Sequence, residues 1–310
     1  MNVSASFGIP PASSPLILRG QEVGRQSPAI MAIINRTTDS FYSGARQLDD
    51  DQALRSAELA LTGGAQIVDI GGVRAGGGPV IDTETEIQRV VPFIARLRQE
   101  FPDLLISVDT WRAQVAQAAA EVGADLINDT WAGHDPQLVH VAARSGVGVV
   151  CSHTGGLTPR TDPYRVTYHA ADPAADPQDA VVADVLQTLA AAAQRAVDAG
   201  VKPESVLVDP THDFGKNTWH SLHLVRNTAR LTELGFPVLM ALSRKDFVGE
   251  SLDLPAGERL EGTLAATALA AWLGAKVFRA HDVQATRRTL DMIATLRADL
   301  APARITRAVQ

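Results

Sequence analysis

Cysteine is almost missing from this chain: Cys151 is the single one among 310 residues. That excludes a disulfide framework and a cysteine-based zinc centre, and it fits a reducing compartment. Basic residues are in deficit, 28 Lys and Arg against 35 Asp and Glu, giving a formal net charge of −7. No basic stripe is present, so no nucleic-acid partner is expected. No run reaches the ~18 consecutive apolar residues that a membrane span needs. The first 15 residues, MNVSASFGIPPASSP, have neither a positive start nor an apolar stretch, which argues against a signal peptide. They read as a disordered tail, and the protein as cytoplasmic.

What is present is a repeated rhythm. Short apolar runs break into a polar residue eight times, with a helical stretch after each: AIMAII to Asn35, QIVDI around Asp69, LLISV to Asp109, DLI to Asn128, VGVVCS to His153, SVLV to Asp209, PVLMAL to Ser243-Arg244-Lys245, and AKVF to Arg279 and His281. Runs of this length alternating with amphipathic helices indicate βαβ units and a parallel sheet. Eight units in about 270 residues is the count of an α/β fold of the (β/α)8 TIM-barrel type. Residues 28–298 form that single domain, after an extension at 1–27 and before a short tail at 299–310. The composition, 45% hydrophobic and 20% charged, supports one large core.

Local signals place the helices. Asp49-Asp50-Asp51 opens the first, and Gly63-Gly64 closes it. The second starts near Thr83. The third follows Thr110 as N-cap, and the fourth starts at Asp135-Pro136. The fifth spans Pro177 to Ala199, the sixth Thr218 to Leu234, and the seventh Pro255 to Leu273. Asp282 caps the eighth. The long connection from Thr154 to Asp176 reads as a lid or a mobile segment.

In a barrel, the C-terminal strand ends share one mouth, where ligands bind. Asp109, Asn128, Asp209 and Lys245 reach it from different strands. Two carboxylates, an amide and an ammonium suit a flat heterocycle with alternating donors and acceptors. Arg279 and His281 lie by the last loop, where barrels commonly bind phosphate. A polar strand end often does no more than satisfy loop amides, but six such positions together point to a site. Other patterns carry less. GKNT at 215–218 lacks the glycine a phosphate loop requires, since Pro210 stands there. His153, His212 and His281 lack the partners of a metallohydrolase centre. Cys151 reads as a small core residue, and Trp111 and Trp131 as packing residues between helices and barrel.

The ordered blocks MAIINRTTDSF, VDIGG, SVDTWRAQVAQAAAEVGADLINDTWAG, DPTHDFGKN, LSRKDFVG and RLEGTLAATALAAWLGAKVFRAHDV resemble the signature blocks of dihydropteroate synthases over about residues 28–298. The resemblance implies a pterin-binding barrel. Such an enzyme condenses a dihydropterin diphosphate with p-aminobenzoate, assisted by Mg2+, and releases pyrophosphate. By the same resemblance Asp109, Asn128, Asp209, Phe214 and Lys245 contact the pterin, while Arg279 and His281 hold the diphosphate. Asn35 is linked to the metal, and Arg244 and Asp246 border the second substrate. Asn35, Asp39, Asp109 and Lys245 stand as the candidates for chemistry. Sulfonamide and sulfone analogues, and a homodimer, are implied with them.

The departures matter as much. Where the family reads Asn-Val-Thr-Pro-Asp-Ser-Phe, this chain has Asn35-Arg36-Thr37-Thr38-Asp39-Ser40-Phe41. Val73-Arg74-Ala75-Gly76-Gly77-Gly78 replaces Glu-Ser-Thr-Arg-Pro-Gly, Thr211-His212-Asp213 replaces Gly-Ile-Gly, and Asp246 replaces a serine. At about 5 Å and an effective dielectric near 20, the Asp246 charge would repel a substrate carboxylate by roughly 3 kcal/mol, unless it turns away or pairs with Arg244. The expectation is a paralogue that keeps pterin binding and has weak or lost synthase activity. The alternatives are a working synthase with rebuilt loops, or another pterin-linked role such as folate-linked methyl transfer or regulation.

Overall fold

In the computed structural model, the described residues are 14–36, 43–161, 166–169 and 177–307. Eight parallel strands carry the fold: β3 (Ala29–Asn35), β4 (Ile67–Gly71), β5 (Leu105–Asp109), β6 (Leu126–Asp129), β7 (Gly148–Ser152), β8 (Val206–Asp209), β9 (Leu239–Met240) and β10 (Val277–Ala280). They follow one another as β8-β7-β6-β5-β4-β3-β10-β9. The ends meet at a parallel bridge between Val208 and Val238, where the Val208 N–H donates to the Pro237 carbonyl at 3.0 Å. The sheet thereby closes into the expected (β/α)8 barrel.

Strand alternation divides the core in two. Ile30, Val68, Ile106, Ile127, Val149, Val208 and Phe278 face outward into the helices. Met31, Ile67, Leu105, Leu126, Val150, Leu207, Leu239 and Val277 face inward, toward the end where the strands begin. Residues 16–23, within the extension set apart from the barrel in the sequence, cover that end. There β1 (Leu16–Leu18) pairs antiparallel with β2 (Gln21–Val23), and Leu16, Leu18 and Val23 pack into the inner cluster. The bottom is sealed with apolar side chains, so the polar strand ends collect at the other mouth.

The helices are α1 (Ser43–Thr62), α2 (Thr83–Glu100), α3 (Ala113–Glu121), α4 (Leu138–Ser145), α5 (Pro177–Asp198), α6 (Thr218–Arg226), α7 (Thr228–Thr232), α8 (Asp246–Leu252), α9 (Leu260–Trp272) and α10 (Val283–Leu296). Several boundaries differ from the sequence expectation, among them the seventh helix, expected from Pro255 and observed from Leu260 as α9, and the fourth, expected from Asp135-Pro136 and observed from Leu138. The first helix begins at Ser43, ahead of the aspartate triplet. The start of α3 is capped by Asp135, whose carboxylate accepts the Ala113 N–H at 2.9 Å, whereas Thr110 accepts only the N–H of Arg112. The helix after β8 breaks at Asn227, whose side-chain amide donates to the His223 carbonyl at 2.9 Å and competes with the helical ladder. Asp282 makes no side-chain cap for α10, because Arg244 holds its carboxylate. Among the described residues, no helix is long and apolar enough to cross a membrane.

Candidate functional site at the barrel mouth

A cavity of about 380 Å3 opens at the C-terminal ends of the strands. Asn35, Asp109, Asp209, Phe214, Lys245, Arg279 and His281 all line it, together with Arg74, Trp111, Thr130 and Trp131. Seven residues chosen from the sequence therefore meet at one place. Asp39 lies outside the described residues.

The floor is a charge network. The Arg279 guanidinium donates to Asp69 at 2.6 Å and to Asp109 at 2.7 Å. Asp69 is fully buried, and it also accepts from Ser107 Oγ at 2.6 Å and Asn128 Nδ2 at 3.0 Å. Asp109 takes a further hydrogen bond from Thr130 Oγ1 at 3.1 Å. Asn128 is buried and outside the cavity lining, and its Oδ1 has no partner among the described residues. Burial raises the Asp109 carboxyl well above the usual range, opposed by the Arg279 charge and reinforced by Asp69. Burial works against the Arg279 charge, yet Asp69 and Asp109 hold it firmly protonated. Arg279 thus reaches across the floor to two carboxylates, a role beyond the diphosphate contact expected of it.

The far wall comes from β8 and β9. Asp209 is buried, and its Oδ1 accepts the Thr211 N–H at 2.7 Å. Burial pushes its carboxyl up to about 6, despite that hydrogen bond and the nearby Lys245. The Lys245 ammonium sits 4.4 Å from the centre of the Phe214 ring, a cation–π contact that occupies a face expected to meet ligand. Trp131 meets Phe214 edge-on at 5.1 Å and Trp111 at 6.4 Å. The two tryptophans are therefore site walls and not merely helix packing. Below them Lys216, almost fully buried, donates to the carbonyls of His153, Thr211 and Phe214 at 2.8–3.1 Å and ties the loops after β7 and β8 together. Ser243 Oγ and His281 Nδ1 lie 3.0 Å apart at the rim, where burial and the Arg279 charge push the imidazole below its ordinary pKa.

The substituted positions have definite partners. Arg36 is buried, pairs with Asp50 of α1, and stacks 4.9 Å above the ring of Phe93, so its charge goes into the helix layer. Arg160 donates to the carbonyls of Gly76 (3.2 Å) and Pro79 (2.8 Å), fastening the glycine-rich loop after β4. Asp246 pairs at 2.7 Å with Arg259 and not with Arg244, and its side chain remains 78% exposed. Arg244 instead makes two bonds to Asp282, at 3.0 and 2.8 Å. Cys151 is buried on β7, and burial pushes its thiol up to about 12, in keeping with a core role.

Asn35 Oδ1 and Asp109 Oδ2 each lie 3.8 Å from the place a Cβ on Gly71 would take. Arg279 already holds that Asp109 oxygen at 2.7 Å, so Asn35 Oδ1 is the oxygen donor here that suits a hard cation. Among the described residues, no group of three or more His, Cys, Asp or Glu forms an all-protein metal cluster. Mg2+ usually takes one or two protein oxygens and completes its shell from substrate phosphates and water.

Thr130 escaped the sequence reading, and Asp69 and Asp213 were noted there without a part in the site. Asp69 had a signal: a lone carboxylate inside the apolar run QIVDI cannot be buried without strong partners.

An α/β barrel with carboxylates, a lysine and an arginine facing one another across its mouth is a ligand-binding barrel of the enzyme type. The chain belongs to the pterin-binding enzyme family, whose model matches residues 31–281. It is 54% identical over 291 residues to the protein named inactive dihydropteroate synthase 2 of Mycobacterium leprae, covering 94% of this chain and 98% of that one. The solved dihydropteroate synthase of Xanthomonas albilineans with 4-aminobenzoic acid is 34% identical, with a TM-score of 0.79 over 93% of this chain and 99% of that one. The Yersinia pestis enzyme in complex with a sulfonamide drug is 32% identical, with a TM-score of 0.81 over 92% and 99%.

Proposed function

We propose that the protein binds a pterin and its diphosphate ester at the barrel mouth, with condensation with p-aminobenzoate weak or lost. The observation that carries the first half is the single cavity bringing Asp109, Asp209 and Lys245 together around Phe214. The two carboxylates suit the amino group and ring N–H of the heterocycle, and Lys245 suits its carbonyl. Arg279 holds Asp109 in place, and with His281 it would also meet a diphosphate. Mg2+, linked to Asn35, would neutralise a diphosphate leaving group when bound. For this chain's own residues, catalysis would be mostly positioning and charge complementarity.

The second half rests on the rim. Asp246 replaces a serine and keeps an exposed carboxylate even while paired with Arg259. The loop after β4 has Arg74 and Ala75 in place of the hydroxyl residues, and the three glycines that follow are entropically costly to order around a substrate. The name of the Mycobacterium leprae relative supports the same reading. Sulfonamide and sulfone analogues would share the p-aminobenzoate side; those that carry a negative charge meet the same repulsion, and uncharged ones do not. Exposed Leu269 on α9 and Met292 and Leu296 on α10 support a homodimer. The single cysteine supports a cytoplasmic location.

A pyrophosphate-release assay with the dihydropterin diphosphate and Mg2+, run with and without p-aminobenzoate, tests this. The expected result is little or no release that depends on p-aminobenzoate. Release at the ~1–10³ per second of ordinary enzymes would make the protein a working synthase.

A further inference from the structure

The substitutions after β8 and β9 are physically linked. Asp213 has a φ of 69°, and Ser221 Oγ accepts its N–H at 3.2 Å. From there its Oδ2 accepts the Asp246 N–H at 2.6 Å, and its Oδ1 accepts the Phe247 N–H at 3.4 Å. Two backbone donors beside the cavity are thus taken by a carboxylate of the chain itself. The neighbouring guanidinium groups are taken as well. Arg259 donates to Asp246 at 2.7 Å and to the carbonyls of Leu254 and Arg244, while Arg244 is held by Asp282 in two bonds. Beyond Phe214 and Lys245, this edge of the mouth presents Asp213, Asp246 and Asp282.

A second ligand carrying a carboxylate would find these donors occupied and would lie against Asp213 and Asp246. An uncharged or cationic group meets acceptors there instead. We propose that Asp213 determines the specificity of the second half of the site: it supplies internally the carboxylate that an anionic second substrate would bring, so that the fitting ligand is an uncharged or cationic aromatic amine. This deepens the pterin reading, which identifies the first ligand.

The test compares p-aminobenzoate with its uncharged amide, p-aminobenzamide, by calorimetric titration. Each is run with and without pterin, Mg2+ and pyrophosphate. The proteins are wild type, Asp213→Asn and Asp213→Gly. Asparagine keeps an acceptor for the Asp246 N–H and tolerates a left-handed φ, so the first variant retains the loop. Wild type is expected to favour the amide. The asparagine variant should raise the benzoate-to-benzamide affinity ratio about tenfold or more, and the glycine variant further. A ratio unchanged across the three proteins, a wild type that favours the benzoate, or no binding of either amine to any protein would overturn the proposal. Pterin affinity is read in the same titrations. A ratio that shifts while pterin fails to bind would remove the identity of the first ligand and leave the role of Asp213 standing.

Discussion

Arg279 and Asp69 meet at 2.6 Å across the barrel floor, from the two strands that flank β3. Asp69 is fully buried and the Arg279 side chain 18% exposed, and Asp109 and Asn128 are tied into the same network. Removing one partner of a buried pair leaves the other charge uncompensated, at a cost of about 3–5 kcal/mol. Asp69→Ala is therefore expected to lose that much stability, measured by urea denaturation, and to free Asn128. A loss of less than about 1 kcal/mol would mean that Asp109 alone suffices for Arg279.

Arg279→Ala is expected to weaken the unphosphorylated pterin as well as its diphosphate ester. The reason is that Asp109 loses its counter-charge and its 2.7 Å anchor. A loss of about 1.5–3 kcal/mol for the plain pterin follows from one charge-assisted hydrogen bond. Unchanged affinity for the plain pterin, with only the ester affected, would return Arg279 to a purely phosphate-binding part.

Asp209 makes stability depend on pH in a defined direction. Its folded-state pKa is raised by burial from 3.8 to about 6, so the folded protein disfavours the ionised form. That cost is absent below the unfolded pKa, grows as pH rises from about 4 to 6, and is complete above, at about 3 kcal/mol. Asp209→Asn keeps an acceptor for the Thr211 N–H. It should be more stable than wild type by roughly 1–3 kcal/mol at pH 8 and equal to it near pH 4. The same variant should lose pterin binding, and wild-type binding should fall as pH drops below about 6. Thermal melts across this range decide it: a stability difference that does not change with pH would contradict the assignment.

Asp246→Ser alone should improve p-aminobenzoate binding by no more than about tenfold, short of the roughly thousandfold that an unpaired charge plus a lost hydrogen bond suggests. Arg259 already offsets part of the Asp246 charge, and Asp213 still holds the two backbone donors. Competition against a fluorescent pterin conjugate gives the number. A hundredfold gain or more from the single substitution would mean that Asp213 is immaterial.

The barrel was legible because its signal is periodic: eight apolar runs, each ending in a polar residue, place eight strands and one mouth. Asp109, Asp209, Lys245 and His281 were legible as strand ends, and all reach the cavity. The direction of their side chains was not. Arg279 turns to Asp69, and Asp246 turns to Arg259, because each choice depends on a partner outside its own element, 210 residues away in the first case and 13 in the second. The hairpin at 16–23 was missed because three-residue strands carry no periodic pattern of their own. Helix α8 was missed for the same reason at seven residues.

Pterin binding without condensation is separable in one calorimetric experiment. The protein with Mg2+ is titrated with the dihydropterin diphosphate to saturation, and p-aminobenzoate is then added to the same cell. The expected result is a saturable binding heat in the first stage and no sustained heat of reaction in the second. Absence of binding heat in the first stage, or continuous heat of turnover in the second, would contradict it.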